Sequence, residues 1–199
     1  MANHVSSYLY FREINEAGVE VLKKLGERFD KFKDNGHECH LGHAFVDDLD
    51  GVDREFMTEK VGAKWAYAQD WDTTGISMYS AWCAPTEFVE HLVNEVAAVD
   101  PKCIAVFTYE DEMPNFIGAQ IYDGNELYDN NELDDNEILE SLLSSDEELK
   151  EQWDEVEEEW QDDGDLYYDR IWDYVNEWQS GFINEVLGFL DEERNDQEK

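Results

Sequence analysis

Residues 123–199 carry 29 Asp and Glu against four basic side chains, Lys150, Arg170, Arg194 and Lys199, a formal charge of −25 in 77 residues. Any fold of this segment must keep nearly every charge in water and close on the apolar residues that remain. Those residues are patterned: four of the seven Trp fall here, at helical spacing. A disordered tail combines charge with few aromatics, so composition argues for structure. Residues 136–143 place Ile138, Leu139, Leu142 and Leu143 on a short helix. Ser145 followed by Glu148 reads as a capping box. It opens a helix to about Gln161, with Leu149, Trp153, Val156 and Trp160 in one stripe. After Gly164 a last helix spans 165–193, with Tyr168, Ile171, Trp172, Val175 and Trp178 along its first half, Phe182, Ile183, Val186, Leu187 and Leu190 continuing the stripe, and Gly181 as a bend or break. Residues 128–199 are thus expected to form an acidic all-helical region.

The charge points to a kind of partner. From Asp146 to Glu159 nine residues are acidic, opposed by Lys150 alone. On a straight helix this is about one carboxylate per 2 Å of axis, close to the charge per ~1.7 Å of duplex DNA. The whole chain carries −37, several-fold beyond the magnitude of about 2–8 that keeps a small domain soluble. Such a surface repels nucleic acid and anionic membranes and steers basic proteins toward itself. Halophilic adaptation would spread the acid evenly, whereas residues 1–122 hold only 22 acidic and 10 basic side chains. The expected function is therefore that of a DNA mimic occupying the basic groove of a host nucleic-acid-binding protein. Targets of this kind are a CRISPR effector, a restriction enzyme, RNA polymerase, a DNA glycosylase or a nucleoid protein. The expected contacts are Glu147, Glu148, Glu151, Asp154, Glu155, Glu158, Asp162 and Asp163. An alternative is an interaction or dimerisation module using aromatics such as Tyr167 and Trp178.

The preceding part alternates strand and helix signals. Residues 4–11 read as a strand, and residues 15–33 as an amphipathic helix on Val21, Leu22, Leu25, Phe29 and Phe32. Residues 64–70 and 76–83 form a hairpin, 86–99 a helix with Thr86 as candidate N-cap, and 103–110 and 116–122 two strands, before a tight turn at DGN. This β-α-β-β-α-β order with an extra strand is the split βαβ, ferredoxin-like α+β arrangement: an antiparallel sheet with two helices. It gives a domain over 1–127, with an irregular insertion at 36–60, followed by the acidic region 128–199.

Residues in this part resemble the YubB-type ferredoxin-like family of phage and plasmid proteins. The opening MANHVSSYLYF, with Val5 at the family's cysteine position, the block from Gly62 through Trp65, Trp82 and Pro85 to Leu92, and PNFIGAQIYDGNEL carry the resemblance. It covers residues 1–127 and implies a ferredoxin-like fold and a mobile-element, phage-type origin. It implies no catalytic residue.

No enzymatic constellation stands out. There is no phosphate-binding glycine loop and no nucleophile paired with a base; Cys83, near a helix start, reads as a half-buried strand-end thiol. His37, Cys39, His40 and His43 crowd four candidate metal ligands into seven residues, without the paired spacing of zinc sites. The acidic run before Phe56 lacks the glutamate that completes a calcium loop. No cofactor is expected. Three cysteines make no disulfide framework, and no signal peptide or membrane span is visible, which together point to the cytoplasm.

Overall fold

The computed structural model describes residues 3–34, 38–47, 53–154, 159–160 and 165–197. The fold is α+β, built on a six-stranded open sheet. In chain order its elements are β1 (His4–Glu13), α1 (Glu16–Asp34), α2 (Arg54–Lys60), β2 (Ala66–Trp71), β3 (Gly75–Ala81), α3 (Thr86–Ala97), β4 (Ile104–Asp111), β5 (Phe116–Asp123), β6 (Glu126–Asp134), α4 (Asp135–Ser145), α5 (Glu147–Gln152) and α6 (Asp165–Gln197). A 3-10 turn at Leu41–Ala44 precedes α2. The sheet order is β2-β3-β1-β4-β5-β6, and every neighbouring pair is antiparallel.

One face of the sheet packs on α1 and α3. Alternation in β1 sends Val5, Ser7, Leu9 and Phe11 inward, where Val5, Leu9 and Phe11 join Leu22 and Phe29 of α1 and Phe88, Leu92 and Val96 of α3. Asn15 starts α1: its Oδ1 accepts from the amides of Ala17 and Gly18 at 2.8 and 3.0 Å. Pro85 holds the N-cap position of α3 without a side-chain bond. Thr86 is therefore the first helical residue and not the cap.

The other face receives the acidic segment. Ile104, Val106 and Ile121 of the sheet meet Val186, Leu187 and Leu190 of α6. Further along, Ile117 meets Ile138, Leu142, Leu149, Ile171 and Val175. Strand β4 is thus covered on both faces, and Ile104, Ala105, Val106 and Phe107 are all fully buried. An unbroken apolar run is the usual mark of a strand buried on both sides.

The expectation of an all-helical region after residue 128 does not hold. Strand β6 extends through Asp134, pairing with β5 from Phe116↔Asp134 to Asp123↔Glu126. Its polar sequence hides it, because a bulge at Tyr128 breaks the alternation and only Tyr128 and Leu133 turn into the apolar clusters. The turn before it needs Gly124, whose φ of 60° is left-handed and whose missing Cβ would stand 2.7 Å from the Pro101 carbonyl oxygen. As an edge strand, β6 carries Glu126, Asp129, Glu132 and Asp134, charges that oppose pairing with another chain.

The expected helix from Ser145 to Gln161 is also corrected. Ser145 ends α4, its hydroxyl donating back to Ser141 O at 2.9 Å. Asp146 is the cap instead, accepting from Glu148 N and Leu149 N at 3.0 and 3.1 Å. α5 stops at Gln152, and Trp153–Asp154 (β7) pair antiparallel with Glu159–Trp160 (β8). Acidic residues four apart, such as Glu147 and Glu151, destabilise a continuing helix. The seven-residue spacing of Trp153 and Trp160 fits a helical stripe, but it also fits a hairpin in which they are opposite. The last helix, in contrast, runs through Gly181 without a break.

Candidate interaction surface

Exposed carboxylates occur on β6, α4, α5 and α6. Strand β6 leads directly into α4 through a capping box: Glu137 N donates to Asp134 Oδ1 at 2.9 Å, and Asp134 N donates to Glu137 Oε2 at 3.0 Å. Ile138 and Leu142 are buried, which leaves Glu137 and Glu140 exposed. In α5 Leu149 is the anchor, wholly buried, so Glu147, Glu148 and Glu151 face water. In α6 the buried residues Ile171, Val175, Val186, Leu187 and Leu190 define the inner stripe. Asp169, Asp173, Glu177 and Glu185 fall on the exposed side, the first three spaced four residues apart, about 6 Å of rise per step.

Of the eight expected contacts, Glu147, Glu148 and Glu151 are exposed on one short helix. Asp154 lies at the end of β7. Glu155, Glu158, Asp162 and Asp163 lie outside the described residues. Without a straight helix from 145 to 161, the duplex-like linear density does not apply. What replaces it is a field of exposed carboxylates spread over β6, α4, α5 and α6. Arg170 enters this field, pairing with Asp146 at 3.5 Å and Glu148 at 3.8 Å. These pairs are exposed and add little stability.

Cations fasten the field to the sheet at its far end. Arg12 of β1 makes a bidentate pair with Asp191 of α6 at 2.8 and 3.0 Å, and this hydrogen bond holds the Asp191 carboxyl below its usual range. Arg194 bonds Asp123, Glu13 and the Lys102 carbonyl. In the middle of the helix Gln179 Nε2 donates to Tyr109 O at 3.2 Å and Glu110 Oε2 at 3.3 Å. Sequence patterning offers no sign of these long-range partners.

The aromatics expected to be free are not. Tyr167 and Trp178 are half-buried against the Ile138 and Ile171 cluster; burial pushes the Tyr167 phenol up to about 12, and Trp178 stacks on Phe182 with ring centroids 6.1 Å apart. Tyr168 and Trp172, expected in the apolar stripe of the last helix, are instead exposed, since α6 turns its inner face through Ile171 and Val175.

The His and Cys cluster is taken up by packing. Cys39 is buried and its Sγ lies 3.6 Å from Phe29 O. His43 is buried and stacks on Phe32 at 3.4 Å between centroids. His40 Nδ1 accepts from Gly42 N at 3.1 Å and its ring meets Tyr67 edge-on. Among the described residues no three His, Cys, Asp or Glu converge as metal ligands; His37 lies outside them. In the acidic run before Phe56, Asp53 caps α2 through Phe56 N at 2.9 Å, and Asp47 pairs with Arg28. Cys83 is exposed as a residue, yet its sulfur turns to Gly62 O at 3.2 Å and burial raises its pKa. That is the reverse of an activated thiolate.

His40 carries a pH prediction. Burial, and then the neighbouring His43, lower its pKa from 6.5 to about 4. Between those values the unfolded chain binds a proton that the folded chain does not, so stability rises with pH across this window. The contribution is complete above pH 6.5 and is lost as pH falls toward 4. Relative to His40→Asn, which keeps an acceptor for Gly42 N, the native chain should lose roughly 2 kcal/mol between pH 7 and 4.5. Urea midpoints of both proteins at the two pH values measure it; parallel losses would refute it.

Among the described residues no helix is long and apolar enough to cross a membrane. Comparison with protein-family models, curated proteins and solved structures found no match.

Proposed function

We propose that this protein is a non-enzymatic charge mimic of nucleic acid, which binds and blocks the basic groove of a host nucleic-acid-binding protein. The observation carrying this reading is the field of exposed carboxylates on β6, α4, α5 and α6, backed by buried apolar stripes that hold the helices on the sheet. An array held on a folded support pays little ordering cost on binding, whereas a disordered acidic tail loses its conformational entropy at that moment. The ferredoxin-like reading of residues 1–127 belongs to the same proposal. The strand order β2-β3-β1-β4, with α1 and α3 on one face, supports it, and β5 and β6 extend that sheet. The phage-type origin, an anti-CRISPR or anti-restriction role and a cytoplasmic site of action follow from the family resemblance and the charge.

The test is displacement of duplex DNA from candidate targets: a restriction endonuclease, a CRISPR effector, RNA polymerase, a DNA glycosylase and a nucleoid protein. The native chain should displace DNA from at least one. Affinity should fall 10-fold or more between 50 and 200 mM salt if several ion pairs form. The fourfold variant E147K/E151K/D169K/D173K should lose displacement. Unchanged displacement by this variant, or affinity indifferent to salt, would sink the reading.

A further inference from the structure

Helix α6 covers the sheet over β4 and β5, and its contacts with β1 include Tyr10 and the Arg12–Asp191 pair. Strand β1 is third of the six, yet His4, Ser6 and Tyr8 on this face are exposed, with Tyr8 at 44 %. On this face α6 covers β4 and β5 and leaves β1 to β3 open. The face it opens is aromatic. Tyr67 of β2 stacks on Tyr79 of β3 at 5.4 Å, Tyr79 also meets His4 at 5.8 Å, and Tyr8 stacks on Tyr10 at 5.6 Å.

The register sets what lies beside these rings. Tyr67 pairs with Tyr79, Tyr79 with Ser6, and Ser6 with Glu110, so these four form one row across β2, β3, β1 and β4. Only the short Ser6 side chain stands between Tyr79 and Glu110 in this row, and their Cα atoms are two strand spacings apart, about 10 Å. Tyr8 is diagonal to Tyr79 across the β1–β3 pair, a position within reach of an aromatic ring. Glu110 is half-buried and takes a hydrogen bond from Gln179. Burial raises its pKa, the mark of a carboxylate short of a positive neighbour.

We propose that this tyrosine face docks an arginine-bearing extended segment of a basic protein, with a guanidinium stacked on Tyr79 and Tyr8 and directed at Glu110. The occupant follows from complementarity. Tyrosine faces attract cations, arginine more often than lysine; the row ends in a carboxylate; and a chain of net charge −37 repels any anionic occupant. The stacked rings are held in place before binding, which lowers its entropic cost. The inference rests on the reading that the partner is basic. It adds a second, short-range contact surface on the sheet face beside α6.

The probe is an octa-arginine peptide, titrated into the full chain at 50 and 300 mM salt, with octa-lysine alongside. Binding should shift the ring resonances of Tyr8 and Tyr79. At 300 mM salt, where the charge field is screened, octa-arginine should bind at least 10-fold more tightly than octa-lysine. The double variant Tyr8→Leu/Tyr79→Leu, which leaves the net charge unchanged, should weaken octa-arginine at least 10-fold at that salt, and Tyr8→Phe/Tyr79→Phe should stay within twofold. The Phe pair and near-ultraviolet circular dichroism separate lost binding from lost folding. Equal affinity of the folded Leu variant and the native chain overturns the inference. If E147K/E151K/D169K/D173K alone abolishes binding, the charge reading stands and this one fails. If only the tyrosine variants abolish it, this inference stands and the acidic field is not the contact. Absence of octa-arginine binding by the native chain overturns both.

Discussion

Replacing Leu190 with Ala is expected to lower the unfolding free energy by about 3 kcal/mol, within the range for a buried Leu emptied to a cavity. Leu190 is 1 % exposed and lies among Ile104, Val106 and Ile121 from the sheet and Val186 and Leu187 from its own helix. This small cluster is the main apolar anchor of the C-terminal half of α6, and the ion pairs of Arg12 and Arg194 beside it are partly exposed. Surface pairs of that kind contribute about 0–1 kcal/mol each, too little to hold the helix against self-repulsion of its carboxylates. Leu190→Asp should therefore detach the end of the helix, because a buried, unpaired carboxylate is costlier than a cavity. Urea unfolding gives the free energy of the Ala variant, and hydrogen exchange of the amides in 182–194 reports detachment in the Asp variant. A loss under 1 kcal/mol for Leu190→Ala would show that the cluster does not anchor the helix.

The second large effect is expected at Gly118. It pairs directly with Tyr109 of β4 on one side and with Glu132 of β6 on the other. The Tyr109 ring crosses over Gly118, and its hydroxyl donates to Glu132 Oε2 at 2.7 Å. A Cβ at position 118 would fall on that ring. Gly118→Val must push the buried ring aside and break the bond, an overpacking cost of about 3 kcal/mol. The phenol provides an independent readout. Burial first, and then the bond to Glu132, raise its pKa well above the ordinary tyrosine range. Ultraviolet absorbance titration of the variant should show one additional tyrosine ionising near pH 10. A variant of native stability with an unchanged titration would refute the crossing-ring arrangement.

Much of the first two thirds of the chain was legible because its elements carry strong local periodicity. The alternation from Val5 to Phe11 and the 3.6-residue pattern of Leu22, Leu25 and Phe29 depend only on which side of an element meets the core. Helix α6 was legible for the same reason, and it continues through Gly181 and Gly188 because a glycine costs a helix only about 1 kcal/mol, less than the burial of the apolar stripe on either side contributes. Strand β6 was hidden: it is held by backbone bonds to β5 and by two apolar side chains, with acid at most other positions. The hairpin β7–β8 was read as helix because one spacing of two tryptophans serves both periods.

The sequence by itself determined that the last third is acidic and that its apolar side chains lie in stripes; charge and period are local properties. Only the tertiary structure decided where those stripes dock. Covering β4 and β5 and leaving β1 to β3 open is a matter of which strands become neighbours, and no local pattern encodes that. The row of Tyr67, Tyr79, Ser6 and Glu110 exists only through the pairing of four strands drawn from residues 4 to 111. The acid is written in the chain, whereas the tyrosine face beside it is made by the sheet.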